Sequence, residues 1–364
     1  MSTESHQNQT GPEKMFSKNH TDLKSYLNAV SDWIEKETLR HIPESDPKEY
    51  LYDLMRDYPQ RGGKRFRPAL VLLSCELFGG DPHEAIISAI GFELFHNFAL
   101  IHDDIEDESL LRRGKPTLHR MYGTALAINS GDAMHYLLHE ILLKNYPRLG
   151  SKLALRIHKH FNILMQNTFA GQALDIGWVV DNKFPNRDEY RNMIIKKTGW
   201  YSGKGPCQCG ALIAGASETE LDIIGSFGEA IGIGFQVRDD LLNLIEESES
   251  EAPRAVSGGY GKERGGDIAE GKRTLITIEL LERLSEQNSA KAREILLRSR
   301  ETVSNNDINW FIAEAESTGA LDAVSKYCYE HVKSAHSALK KLPDNNASKL
   351  LSEIINYLTI DRNA

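Results

Sequence analysis

Cysteine is scarce in this chain of 364 residues: Cys75, Cys207, Cys209 and Cys328 are all there are. They make no CxxC pair, which excludes a disulfide scaffold and fits a reducing compartment. Cys207 and Cys209 form a CxC with no His or Cys near them in sequence, so two buried small side chains are expected there rather than a metal site. Basic residues are outnumbered, with 43 Lys and Arg against 52 Asp and Glu and a net charge of −9. That balance argues against nucleic acid as a partner. No apolar run reaches the length of a membrane span. The most apolar stretch, Ile86 to Ile101, is interrupted by Glu93 and His96 and reads as a buried helix, with no transmembrane segment expected. Residues 1–18 hold no arginine and no apolar core for a signal peptide, and carry Glu4 and Glu13. They are expected to be a disordered tail, with residues 19–364 forming the folded domain in the cytoplasm.

Strand-like alternation is equally sparse. What the chain has instead is three- and four-residue apolar spacing in ten segments: Asp22–Leu39, Pro68–Leu77, Pro82–Ile105, Ala125–Lys144, Ser151–Leu174, Glu218–Ile245, Leu275–Leu284, Lys291–Val303, Leu321–Leu342 and Ala347–Leu358. There is no fixed-period repeat. The expected fold is all-α, one large helical bundle. Three stretches stand outside the pattern: the Gly-rich basic turn Gln60–Arg67, the basic loop Glu108–Leu118, and the long loop Glu246–Gly271. Long loops inside compact domains are often functional.

Two acidic clusters carry the chemistry. The first is HDDIED, with Asp103, Asp104 and Asp107. On a helix Asp103 and Asp107 are one turn apart and share a face. Carboxylates so close repel one another, and a hard divalent cation such as Mg²⁺ relieves the repulsion while keeping water and phosphate in its shell. The second is FQVRDDLLN, with Asp239, Asp240 and Asn243, again at the end of an apolar helix. Two such helix ends facing each other across a bundle can clamp a diphosphate between metal ions. Candidate counter-charges lie in the irregular stretches, Lys64 and Arg67 and then Arg112 and Arg113, and Lys197, Lys262 and Lys272 follow later.

With these motifs in this order, the chain resembles the trans-isoprenyl diphosphate synthase (polyprenyl synthetase) family from about Leu23 to its last helix. The resemblance implies that Lys64, Arg67 and His96 bind isopentenyl diphosphate. It implies that Asp103, Asp104, Asp107, Asp239, Asp240 and Asn243 hold three Mg²⁺ ions, for which Mn²⁺ can substitute. Arg112 then leans to the allylic diphosphate and Arg113 to isopentenyl diphosphate. Gln172 and Asp175 match the family's GQxxD, and Lys197, Thr198 and Tyr201 its KTxxY. Phe235 and Gln236 precede the second acidic motif, and Lys262 and Lys272 match two lysines that help close the site. The departures are Asn243 for the usual Asp, the CQC at 207–209 and a longer loop at 246–260.

The implied reaction is ionisation of an allylic diphosphate, attack by the double bond of isopentenyl diphosphate, and loss of a proton. Metals and basic groups stabilise the leaving group, and a dry apolar pocket protects the cation. Thr198 and Tyr201 are expected to stabilise it by dipole and Phe235 by its ring face. The growing chain is expected to run up the first acidic helix, where Ala99 leaves room and Phe98 and Phe95 form a floor. That pattern resembles geranylgeranyl (C20) synthases; a farnesyl (C15) product is the alternative. Two other readings stand beside it, a class I terpene cyclase and a regulatory subunit of a heteromeric synthase. A homodimer is implied by the family.

Overall fold

Helix starts are written into the sequence as side-chain caps. The computed structural model describes residues 15–244 and 264–359, and in it Asp22 caps α1 (Leu23–His41) by accepting from the Ser25 N–H at 2.8 Å. After α2 (Asp53–Gln60) and α3 (Phe66–Leu77), Asp81 caps α4 (Pro82–Glu106), with Pro82 at its first position. Helices α5 (Leu118–Tyr122), α6 (Thr124–Leu143), α7 (Asn145–Leu149) and α8 (Ser151–Val180) follow. Helix α9 (Arg187–Ile194) begins at a capping box made by Asn186 and Glu189 and runs into a wide π-helical segment, Ile195–Lys204, before α10 (Gly205–Ile213). Helix α11 (Glu218–Leu242) starts at a second capping box, Ser217 with Glu220. The chain is completed by α12 (Gly266–Ala269), α13 (Leu275–Arg283), α14 (Glu286–Leu296), α15 (Asn305–Ser317), α16 (Ala320–Leu339) and α17 (Asn346–Thr359).

The all-α expectation is met. Among the described residues the exception is a hairpin of two-residue strands, β1 (Leu111–Arg112) and β2 (Lys115–Pro116), inside the stretch read from sequence as a loop. Arg112 pairs with Lys115 across it, which fixes where the basic pair 112–113 points.

The core is arranged around α4 and α11. Helix α4 packs between α3 and α6, and α11 packs against α16 and the π-helical segment. Residues Ala230 and Ile231 of α11 belong to one apolar cluster, with Phe92, Phe95 and Phe161, while Ile233, Val237 and Leu241 belong to a second, with Leu280 and Phe311. Burial on both sides explains why α11 is apolar nearly all round. Its glycines serve close approach: a Cβ on Gly203 would stand 1.8 Å from the Gly228 carbonyl oxygen, so the π-helical segment crosses α11 backbone to backbone. Helix α4 is the one described helix long and apolar enough to cross a bilayer, and it is mostly buried in the protein.

The tail boundary needs correction. Residues 1–14 lie outside the described residues, but Met15 is buried in the core and Ser17 donates from its N–H and hydroxyl to Glu76. Residues 15–18 therefore belong to the fold, anchored by an apolar side chain and a carboxylate whose distance in sequence hid the contact. The helix expected at 291–303 starts earlier, because Ser285 supplies a cap, and it ends at Leu296. Most of the long loop, residues 245–263 with Lys262, lies outside the described residues. Cys207 and Cys209 are fully buried in α10, as expected, and burial pushes both thiols up to about 12.

Candidate active site

A cavity of about 2280 Å³ opens between the C-terminal ends of α4 and α11. Asp103 and Asp107 line it from α4, and Asp239 and Asp240 line it from α11. The two acidic motifs thus share one space, as the sequence reading requires. Lysines stand between the carboxylates. Lys272 pairs with Asp107 and lies 3.9 Å from Asp175; Lys197 is 2.5 Å from Asp175 and 4.0 Å from Asp103. Burial alone would drive Lys197 towards neutrality, but Asp175, then Asp103 and Asp107, hold it above its ordinary value. Lys272 is raised in the same way, by Asp107 and Asp175 against the effect of burial. Gln172 donates to Asp103 at 3.1 Å and to Glu106 at 2.5 Å, which brings a further carboxylate to the rim.

Of the expected metal ligands, Asp104 is turned out of the cavity, while Asn243 lies at its border with its amide oxygen engaged. Asp104 is fully buried and absent from the cavity lining; one residue further round the helix is a rotation of about 100°. Its carboxylate accepts from Arg112 Nε at 3.0 Å, from Arg112 Nη2, and from the Tyr58 hydroxyl at 2.5 Å. It therefore orients Arg112 rather than presenting oxygen to the cavity. Asn243 borders the cavity, but its Oδ1 accepts from the Asp267 N–H at 3.1 Å and its carbonyl from the Gly265 N–H at 2.7 Å. It closes the end of α11 onto α12, because an amide oxygen next to a helix C-terminus is best satisfied by the N–H groups of the returning chain. Asp240 stays at the cavity, accepting from Gln236 at 2.9 Å and Tyr190 at 3.4 Å. Burial, with Asp267 and Asp239, raises its carboxyl well above the ordinary value.

The basic side is built on the turn before α3. Arg67 donates to the Tyr201 hydroxyl at 3.0 Å and to Ser202 at 2.7 Å, and its guanidinium lies 4.5 Å from the Tyr201 ring centre. Lys64 stands over Tyr357 of α17 at 4.5 Å. Arg113 has a left-handed backbone and donates to the carbonyls of Tyr58 and Gly62, packed against Gly63. Burial and the neighbouring Arg65 bring it down to about 10. His96 lines the same wall, and its Nδ1 is buried with no hydrogen-bond partner among the described residues. Burial, then Arg67 and Arg113, hold it well below the ordinary imidazole value, so it is neutral. On the far side Thr198 donates to Gln236 Oε1 at 3.2 Å, and Phe235 stands 5.1 Å from Phe66.

At the deep end Phe95, Phe98 and Ala99 all line the cavity. Sequence reasoning missed the residues that brace these groups. Tyr58 and Glu93 gave no motif, and the buried ion pair of Arg65 with Glu93, which ties the basic turn to α4, appears only once the helices are packed. Glu106, inside HDDIED, was visible in its spacing.

Comparison with known proteins agrees with this geometry. The family model described as polyprenyl synthetase matches residues 48–314. A short chain isoprenyl diphosphate synthase of Methanothermobacter thermautotrophicus is 34% identical over 297 residues, covering 82% of this chain and 86% of that protein. The crystal structure of a geranylgeranyl pyrophosphate synthetase from Pyrococcus horikoshii superposes with a TM-score of 0.82 at 31% identity, covering 93% of this chain and 98% of the other. A geranylgeranyl pyrophosphate synthase from Corynebacterium glutamicum, complexed with isoprenyl diphosphate and magnesium, gives a TM-score of 0.82 at 26% identity, covering 94% of this chain and all of that one (100%).

Proposed function

This chain belongs to the polyprenyl synthetase family and is an isoprenyl diphosphate synthase, and we propose that it condenses isopentenyl diphosphate with allylic diphosphates, with Mg²⁺, to give geranylgeranyl diphosphate. The observation that carries this reading is the sharing of one cavity by Asp103, Asp107, Asp239 and Asp240, with Lys64, Arg67, His96 and Arg113 on an adjoining wall.

The donor set fits magnesium. The cavity carboxylates are hard oxygen donors. Among the described residues no group of three or more His, Cys, Asp or Glu is close enough to hold an ion by itself. A site of that kind suits an ion that keeps water and takes substrate phosphate as ligands. Asp103 and Asp107 on one side, and Asp239 and Asp240 on the other, would hold it. When bound, Mg²⁺ supplies positive charge to the departing diphosphate.

The chain's own residues do the rest. Lys64, Arg67 and Arg113 bind and orient the isopentenyl diphosphate, with neutral His96 as a hydrogen-bonding partner. Arg112, oriented by Asp104, faces the allylic diphosphate with Lys197 and Lys272, which Asp175 keeps protonated. Lys262 is proposed to join them from outside the described residues. Thr198 and Tyr201 present oxygen dipoles, and Phe235 a ring face, to the developing allylic cation. Phe95, Phe98 and Ala99 line an apolar end that keeps water out and receives the growing chain.

A second copy of the chain is proposed to cover the outer face of α6 and α8. Ile128, Tyr136 and Leu143 form an exposed stripe on α6, beside Leu155 and Ile163 on α8. The test of function is incubation of the purified chain with dimethylallyl, geranyl or farnesyl diphosphate, with and without isopentenyl diphosphate, followed by mass spectrometry. A C20 diphosphate formed only with isopentenyl diphosphate is expected. A hydrocarbon formed without it would identify a cyclase and overturn the proposal.

A further inference from the structure

The hairpin that carries Arg112 and Arg113 has little to hold it from within. Its strands are two residues each, and a ribbon of that size is marginal in water. Leu110 and Leu111 are exposed, so it has no apolar anchor at its start. Arg113 sits in the left-handed region with φ 53°, which a non-glycine residue keeps only where its surroundings fix it. The support comes from Arg61, at the end of α2 in the Gly-rich basic turn. Its guanidinium donates from Nη1 to the Arg112 carbonyl at 2.9 Å and the Lys115 carbonyl at 3.4 Å, and from Nη2 to the Pro116 carbonyl at 2.9 Å. Its Nε donates to Asp57 one turn back, and the group lies 4.6 Å from the Tyr58 ring centre. The Arg61 side chain is 1% exposed. It borders the cavity, yet Nε, Nη1 and Nη2 are all engaged on protein oxygens. Arg113 returns the contact, donating to the carbonyls of Tyr58 and Gly62 on either side of that turn.

We propose that Arg61 is a positioning residue, latching the hairpin to the end of α2 so that Arg112 and Arg113 stand at the cavity before a diphosphate arrives. It touches no substrate and acts through those two arginines, so the inference rests on the reading above that they bind diphosphates. The latch needs arginine. Its oxygens surround one planar group and call for donors fixed in a fork, whereas a lysine ammonium is a point charge on a flexible stem. Tyr58 joins the latch to the first acidic motif. Its ring packs on Arg61, and its hydroxyl donates to Asp104, which also accepts from Arg112. The backbone and the side chain of Arg112 are thus held from the same corner of α2.

The experiment is hydrogen exchange read by mass spectrometry on the full chain, comparing the wild type with Arg61→Lys and Arg61→Ala, beside steady-state kinetics for isopentenyl diphosphate. Both variants are expected to exchange faster over residues 109–118 while α4 and α11 exchange as in the wild type. KM for isopentenyl diphosphate is expected to rise about tenfold, as loss of hydrogen bonds from a charged donor does. Should Arg61→Ala fold poorly, Arg61→Lys carries the test, since it keeps a positive charge beside Asp57. Adding Arg61→Lys to Arg113→Ala is expected to raise KM further by no more than about twofold, because Arg61 then has no Arg113 to act through. A second full rise of about tenfold would show that Arg61 acts independently and would overturn the proposal. Unchanged exchange over 109–118 would also overturn it, whatever the KM. A wild-type chain that incorporates no isopentenyl diphosphate would instead overturn the proposed function, and the exchange comparison would still decide the latch.

Discussion

His96 shows how a single residue's environment becomes a measurable property. Its imidazole is held below the ordinary 6.5 first by burial and then by Arg67 and Arg113. In the unfolded chain it takes a proton near 6.5, whereas in the fold it does not until a lower pH. The unfolded state therefore binds more protons in that window, and stability falls as pH drops below about 6.5. Thermal unfolding at pH 7 and pH 5 is expected to show a smaller loss for His96→Gln than for the wild type; an equal loss in both would contradict the neutral, buried assignment. The same variant is expected to raise KM for isopentenyl diphosphate more than for the allylic substrate. His96, Asp103 and Lys197 all line the cavity; Asp103 was singled out by its helical spacing within an acidic cluster, His96 and Lys197 by the family resemblance. The role of Asp104 was not legible in sequence. Neighbouring aspartates differ only by helical rotation, and only the position of Tyr58 and Arg112 decides which one faces inward.

That distinction scales up to the element. Helix α4 presents Asp103 and Asp107 to the cavity and turns Asp104 towards Tyr58 and β1. Asp103→Asn is expected to cut turnover by about 10²–10³, as loss of one electrostatic group at a developing charge does, with little change in thermal stability. Asp104→Asn is expected to destabilise the fold by about 1.5–3 kcal/mol, because Arg112 and Tyr58 lose a charged acceptor. Differential scanning calorimetry beside turnover measurements checks the pair. A more destabilised Asp103→Asn would contradict the assignment. Long helices with steady apolar spacing, such as α4, α6 and α11, were legible to within a residue or so at most ends. The stretch from α9 to α10 was not, because the glycines that let it cross α11 closely also break its periodicity. Helix α15 was passed over although Ser304 and Asp307 form a capping box at its start.

For the whole molecule, the acidic balance of the chain and the proposed anionic substrates are reconciled by placement: cations are gathered on the cavity wall, and the carboxylates proposed to hold Mg²⁺ line the same cavity. The apolar stripe on α6 and α8 predicts association. Sedimentation of the purified chain at micromolar concentration is expected to give twice the 40.9 kDa chain mass, and a charge introduced by Tyr136→Asp is expected to weaken it. A monomer mass for the wild type would contradict the second copy. The central claim is that the ends of α4 and α11 act together on one diphosphate. The most direct measurement follows isopentenyl diphosphate incorporation with Mg²⁺ present, with chelator added, and with Mg²⁺ restored, for the wild type, Asp103→Asn and Asp239→Asn. Turnover that stops with chelator, returns with Mg²⁺ and falls by about 10²–10³ in both variants is the predicted result. Turnover indifferent to chelator, or undiminished in Asp239→Asn, would contradict it.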